Sequence, residues 1–423
     1  VKWILRQKSS VLCKTLLLLG LSSSAIASDF SLPFINASGL GDAYADWATA
    51  TDDASVAYSN PAALVRLNHQ QLVIAPIGIL GNTKFTGSTV SPPPPFPLAS
   101  NGSATSRIGA FMPSLYYASP KWHKLVFGFS ETVPFALGTS YAKDAITRYL
   151  STRTQIVVID LSPSVSYEVT EKLSVGLGLD AARLAFTSNN MVRSPFPGPD
   201  FESQNHLSGW GFGWHGGVLY DVLPKTRIGA SFNSMMMFHS YGDSESYTTF
   251  GTFRTTNQKA FAGLPARTQL SIHQDIDSRW AVMGTVFYTN WTTFQKLTLR
   301  NVILPGGGTT AITIPFEYHN TFDYSIGASF KATDKWLLRT GLQWMNTPSN
   351  NRDRGVADPI GSAIIWGLGA HYQQNATLGY DMSVGHSFFK QEPVNLVSPV
   401  ATVSGHNNSQ TTVIGAQINW NIT

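Results

Sequence analysis

Leu173-Ser-Val-Gly-Leu-Gly-Leu-Asp180 puts Leu173, Val175, Leu177 and Leu179 on one face and small residues or an acid on the other. A period of two marks a strand with one apolar and one polar face. The pattern recurs at Ala376-Thr-Leu-Gly-Tyr-Asp-Met-Ser-Val384, at Phe322-Asp-Tyr-Ser-Ile-Gly-Ala-Ser-Phe330 and from Val413 to Trp420. No run beyond the N-terminal segment reaches the roughly 18 apolar residues of a membrane-spanning helix. Repeated two-faced segments of about ten residues predict an all-β chain: a transmembrane antiparallel barrel with its apolar face to lipid and its polar face inward.

The connections support this, because they alternate short and long, as tight periplasmic turns and longer outer loops require. Short turns are predicted at Ala118 to His123, Val169 to Lys172, Leu223 to Thr226, Gln274 to Ser278, Ala332 to Lys335 and Gln373 to Asn375. Long polar stretches fall at 81–105, 139–153, 187–207, 241–262, 295–318, 347–360 and 389–409. These boundaries define about fourteen strands, an even number as expected of bacterial single-chain barrels. Trp122, Tyr167, Tyr220, Trp280, Trp291, Trp336, Trp344, Tyr372 and Trp420 mark strand ends, where amphipathic rings form girdles at the headgroup level.

Residues 1–27 carry Lys2, Arg6 and Lys8, then an apolar run from Val11 to Leu21 interrupted by Lys14, then Ala25-Ile26-Ala27. This is the layout of a secretory signal peptide. The only cysteine, Cys13, lies within it, so export would leave a chain without disulfides. A net charge of +4 over 423 residues, without a dense Lys/Arg cluster, argues against nucleic acid as a partner. The stretch from Ser38 to Leu64 is rich in Gly, Ala, Ser, Asp and Asn and does not alternate. It cannot bury enough area to fold alone and needs walls supplied by something else, so it reads as a plug. The expected organisation is a leader over 1–27, a hatch over 28–68 and a barrel over 69–423.

Ser38-Gly-Leu-Gly41, Asp52-Asp53-Ala54, Asn60-Pro61-Ala62, Trp210-Gly-Phe-Gly-Trp214 with Gly217-Val-Leu-Tyr220, Leu264-Pro265, Tyr288-Thr-Asn-Trp-Thr-Thr-Phe-Gln295 and Trp336-Leu-Leu-Arg-Thr-Gly341 occur in that order. The set resembles the FadL-type outer-membrane transporters of long-chain fatty acids and aromatic hydrocarbons, over most of the chain. The resemblance implies a fourteen-stranded barrel closed by an N-terminal hatch, with Asp52, Asp53, Asn60, Pro61 and Ala62 in the gating element. It also implies a kink in the third strand through which a hydrophobic ligand leaves sideways. That strand would be Lys124 to Gly138, with Val133, Pro134 and Phe135 at the kink. Proline cannot donate to a ladder, so its place mid-strand argues independently for a break in pairing.

Phe196, Phe250, Phe253 and Phe261 are apolar groups in stretches otherwise polar, and they suggest a capture groove on the outer loops. Where fatty-acid members of the family place two basic residues near the headgroup, this chain has Ser188 and Phe316, and the nearest cations are Arg183 and Arg193. The chain has no G-x-S-x-G elbow, H-E-x-x-H or Walker-type loop, and its histidines lack metal-ligand spacing. The expectation is therefore a monomeric bacterial outer-membrane channel without cofactor or metal. It would meet outer-membrane lipid and lipopolysaccharide and carry long-chain fatty acids or other hydrophobic small molecules. The alternatives are an aromatic-hydrocarbon transporter of the same family and an outer-membrane lipid-modifying enzyme.

Overall fold

Alternation of apolar and polar residues closes on itself here: one antiparallel sheet joins every strand, and Gln70–Ile74 at its start pairs with the C-terminal strand Thr402–Ile422, Gln70 opposite Ile422. The computed structural model describes residues 31–91, 97–359 and 361–422. The expected leader with Cys13, and the Pro92 to Pro95 run, lie outside the described residues. Prolines divide three of the strands. Pro76 separates Gln70–Ile74 from Ile77–Ser91, Pro113 separates Leu98–Met112 from Leu115–Ala118, and Pro265 separates Gly251–Leu264 from Ala266–Asp275. With such pieces joined, the sheet is a closed barrel of fourteen strands. Among the described residues no helix is long and apolar enough to cross a membrane.

Leu177 and Leu179 are 52% and 63% exposed on the outer wall, whereas Ser174 and Asp180 face the interior and are buried. The strands Arg153–Glu168 and Leu173–Val192 leave only 169–172 between them, and Thr321–Lys331 and Trp336–Met345 leave only 332–335. The long stretches behave differently from expectation. Much of 81–105, 241–262 and 295–318 continues as paired strand, for example Met236–Thr248 against Gly251–Leu264. Beyond the lipid neither face need be apolar, so the alternation disappears while the ladder continues. Trp122, Trp280, Trp336 and Trp420 lie exposed beside the short turns. Trp291 does not join them. It sits in the 3-10 turn Trp291–Thr293, is buried, and meets Tyr318 edge-on at 5.5 Å.

The segment from Leu32 to Val65 is almost wholly buried within the wall. It holds only the short helices Ala37–Gly41 and Val56–Ser59 and the 3-10 turn Pro61–Arg66. Most of its backbone groups therefore need partners outside regular structure. The wall supplies several. Tyr116 Oη donates to Ile35 O at 2.7 Å, Ser166 Oγ to Ala62 O at 3.1 Å and Thr285 Oγ1 to Ala45 O at 2.7 Å. The wall is also notched where the hatch backbone comes closest. A Cβ on Gly341 would stand 1.9 Å from Asp42 O, and one on Gly217 would stand 2.1 Å from Asn60 Oδ1. Only glycine leaves room there.

Candidate transport route

Asn60 joins hatch to wall. Its Oδ1 accepts from Ala62 N at 3.1 Å, capping the turn that begins at Pro61, while its Nδ2 donates to Ala48 O at 2.6 Å and to Val218 O on the barrel at 3.2 Å. Asp52 and Asp53 enter a second seam. Asp53 Oδ2 accepts from Ser38 Oγ and from Gln417 Nε2, both at 2.8 Å. Gln417 Nε2 also donates to Asn419 Oδ1 at 2.7 Å, and Asn419 Nδ2 donates to Asp381 Oδ2 at 2.6 Å. Arg339 then bridges Asp381 at 2.7 Å and Asp52 at 2.9 Å. The structure thus brings the hatch acids together through wall residues more than 280 positions away in sequence. In such a seam, removing one partner leaves a buried charge unmatched, which costs more than the pair itself contributes.

The third strand, Leu125–Ser140, is regular up to Thr132. There Thr132 pairs with Asp160 but Phe135 pairs with Val158, so Val133 and Pro134 stand against a single position of the fourth strand. This is a bulge at a proline, where the ladder already lacks a donor. On its other edge, among the described residues, the strand's ladder is with Leu115–Ala118, and at its far end Ser140 N donates to Ser106 Oγ of Leu98–Met112 at 2.8 Å. Among the described residues no ladder joins it to Leu98–Met112, which pairs only with the first strand. From Thr132 to Thr139 every residue is buried, so both faces of the strand are covered there. The start of the hatch reaches the same point, with Leu32 N donating to Pro134 O at 2.9 Å and Ser31 bridging Phe135.

Above the hatch the interior changes character. Phe135, Phe186, Phe238, Leu264, Trp291 and Phe294 belong to one buried apolar cluster on the inner wall. Phe316, at half of the expected headgroup pair, packs on Phe294 at 4.8 Å. Ser188 is half-buried on the fifth strand. Arg183 stands on the exposed outer face, donating to Ser208 Oγ at 2.8 Å with its guanidinium carbon 5.5 Å from the Trp210 ring. It points away from the interior and is not placed to meet a headgroup there. Arg193 is half-buried in the loop beyond the fifth strand. Of the four loop aromatics, Phe250 and Phe253 meet at 5.9 Å, with Phe201 at 5.6 Å from Phe250. Phe196 is exposed on its own loop, and Phe261 lies on an outward strand face against His239. The structure does not gather the four into one groove.

Two interior groups escaped sequence reading. His215 is buried, with Nδ1 2.6 Å from Asp180 Oδ1 and Nε2 2.9 Å from Ala57 O. Arg267 is buried at the junction of hatch and kink, donating from Nη2 to Tyr58 Oη at 2.6 Å. Strand parity was the available signal for the second. Leu270 and Ile272 face lipid, which turns Arg267, Gln269 and Ser271 inward.

A family described as outer membrane protein transport protein (OMPP1/FadL/TodX) matches residues 18–422. Outer membrane protein P1 of Haemophilus influenzae is 26% identical over 413 residues, covering 88% of each chain. A long-chain fatty acid transport protein of Escherichia coli O6:H1 is 24% identical, covering 95% of this chain and 96% of its own. Among solved structures, a Pseudomonas aeruginosa FadL homologue superposes with a TM-score of 0.84 at 20% identity, covering 93% of this chain and 100% of its own. The Pseudomonas putida toluene transporter TodX superposes with a TM-score of 0.66 at 14% identity, covering 87% and 94%.

Proposed function

This chain belongs to the outer membrane protein transport protein family (OMPP1/FadL/TodX), and on that premise we propose that it takes up long-chain fatty acids, releasing them sideways through the opening beside the third strand. The observation that carries the lateral exit is the missing ladder between Leu98–Met112 and the third strand above Thr132, at the level of the buried apolar cluster. A fatty acyl chain gains about 0.8 kcal/mol per methylene removed from water, so a route that opens into lipid never returns that chain to the aqueous phase. A straight path through the hatch would end in water. The outer loop aromatics Phe250 and Phe253 are the capture point in this reading, and Asp52, Asp53, Asn60, Pro61 and Ala62 hold the hatch shut.

Aromatic hydrocarbons are the second reading. Trp291, Phe294, Phe316 and Tyr318 form an interior group of rings with centroids 4.8 to 5.7 Å apart, a surface on which a small ring can stack. The kink is tested with Pro134→Val, which restores a backbone donor and favours continuous pairing. The expected result is oleate binding retained and oleate uptake lost at equal surface expression. Uptake at the parental rate in this variant, together with loss of uptake when the periplasmic end is obstructed, would show that the ligand leaves through the lumen.

A further inference from the structure

Three arginines are buried among the described residues: Arg267, Arg339 and Arg354. Arg339 pairs with Asp52 and Asp381, and Arg354 lies 3.8 Å from Glu392. Arg267, only 7% exposed, has no carboxylate within 4 Å among the described residues. Asp160, buried on the fourth strand, acts on Arg267 through charge alone and without contact. Asp180 is engaged with His215, and Asp323, which lines the same cavity as Arg267, accepts from Asn346 N at 2.7 Å. Arg267 keeps one hydrogen bond to a neutral phenol, and its guanidinium carbon stands 5.0 Å from the Phe135 ring centroid. Its Nε is buried without a partner. A guanidinium stays charged at every physiological pH, and burying a charge without a carboxylate in direct contact is unfavourable. The cation also sits at a boundary. Below it lie Tyr58 and Trp47 of the hatch, and above it the apolar cluster with Leu264 and Trp291.

We propose that Arg267 binds the anionic head of a single-chain amphiphile at the meeting point of hatch and kink, with the apolar tail directed outward along the cluster above. The proposal rests on the reading of this interior as the ligand route. A ligand carboxylate supplies a counter-charge in direct contact and an acceptor for the free Nε, which a neutral hydrocarbon cannot do. The site is therefore specific for fatty-acid anions over esters and aromatic hydrocarbons of equal apolar area. Because Phe135 packs on the same guanidinium, the head is held beside the opening through which the tail would pass.

The test measures binding of oleate and of methyl oleate to the purified full chain in a neutral detergent, for the native protein and for Arg267→Met and Arg267→Lys. The native protein is expected to prefer oleate by about tenfold or more, the scale of a charge-assisted hydrogen bond. Arg267→Met removes that preference while methyl oleate binding stays constant, and Arg267→Lys keeps part of it. The proposal is overturned by equal native affinities for the two ligands, a comparison that needs no variant to fold, or by a preference that survives in Arg267→Met. If the native chain binds neither ligand, the transport reading falls with it. If it binds both equally, the transport reading stands and only the role of Arg267 is lost.

Discussion

Asn60 is wholly buried and makes three hydrogen bonds, one of them to the wall at Val218. At about 1 kcal/mol net for each, Asn60→Ala is expected to loosen the hatch by about 3 kcal/mol, with a further cost for the acceptors left unpaired. The barrel itself should persist, because its ladders do not depend on this side chain. Oleate uptake by cells lacking their own transporter is expected to change at equal surface expression, and uptake indistinguishable from the parent would count against a gating role. Parity along a strand decides which side chains can share this interior chemistry. The alternation that sends Leu177 and Leu179 to lipid also sends Arg183 outward, and the one that sends Leu270 and Ile272 outward brings Arg267 in. Both facts were legible from sequence once the strands were phased. That Arg267 has no carboxylate in contact among the described residues was not, since it depends on what the hatch and the third strand bring to it.

The outer segment 346–359 folds back into the mouth of the barrel. Val356 is fully buried, Tyr141 Oη donates to its carbonyl at 3.0 Å, and Thr139 Oγ1 donates to Ala357 O at 3.3 Å. Asp358 accepts from Tyr318 of the interior cluster. Burial pushes the Asp358 carboxyl up to about 6, against the opposing pull of the Tyr318 hydrogen bond and the Arg354 charge. The docked segment thus holds a proton that the undocked segment releases at its ordinary value near 4. Its contribution to docking is complete below that ordinary value and is lost as pH rises through about 6. Amide exchange of 346–359, corrected for intrinsic rates, is expected to be slower at pH 5 than at pH 7.5. Asp358→Asn should remove the difference. A pH dependence unchanged in this variant would assign it to another group. Thr139 lies in the third strand and Tyr141 follows it, so the mouth segment docks on the strand that carries the kink. The break in the third strand was readable at Pro134, because a proline within an alternating run removes a donor from the ladder wherever it falls. The strand extensions beyond the membrane were not, because a ladder between two polar faces leaves no period to find.

For the whole molecule, a chain whose strands each carry one apolar face solves its burial problem in lipid, and closure removes the edges an open sheet would expose. The strand number was legible because turns of a few residues, such as 169–172 and 332–335, alternate with long connections. The hatch was read from its inability to fold alone and from the family resemblance, since it has no period of its own. Its seating depends on wall notches such as Gly341 and on hydroxyls such as Ser166, which look ordinary in sequence. The resulting molecule has a lower lumen filled by the hatch, an apolar cluster above it and, among the described residues, a wall seam without a ladder beside the third strand. A water-filled pore would pass polar solutes of modest size, whereas this one should not. The most direct test is uptake of labelled oleate and of a small labelled sugar by transporter-deficient cells expressing this chain at the outer membrane. The account predicts saturable oleate uptake well above the vector control with sugar permeation at the control level. Sugar permeation raised above control, with oleate uptake unchanged, would contradict it.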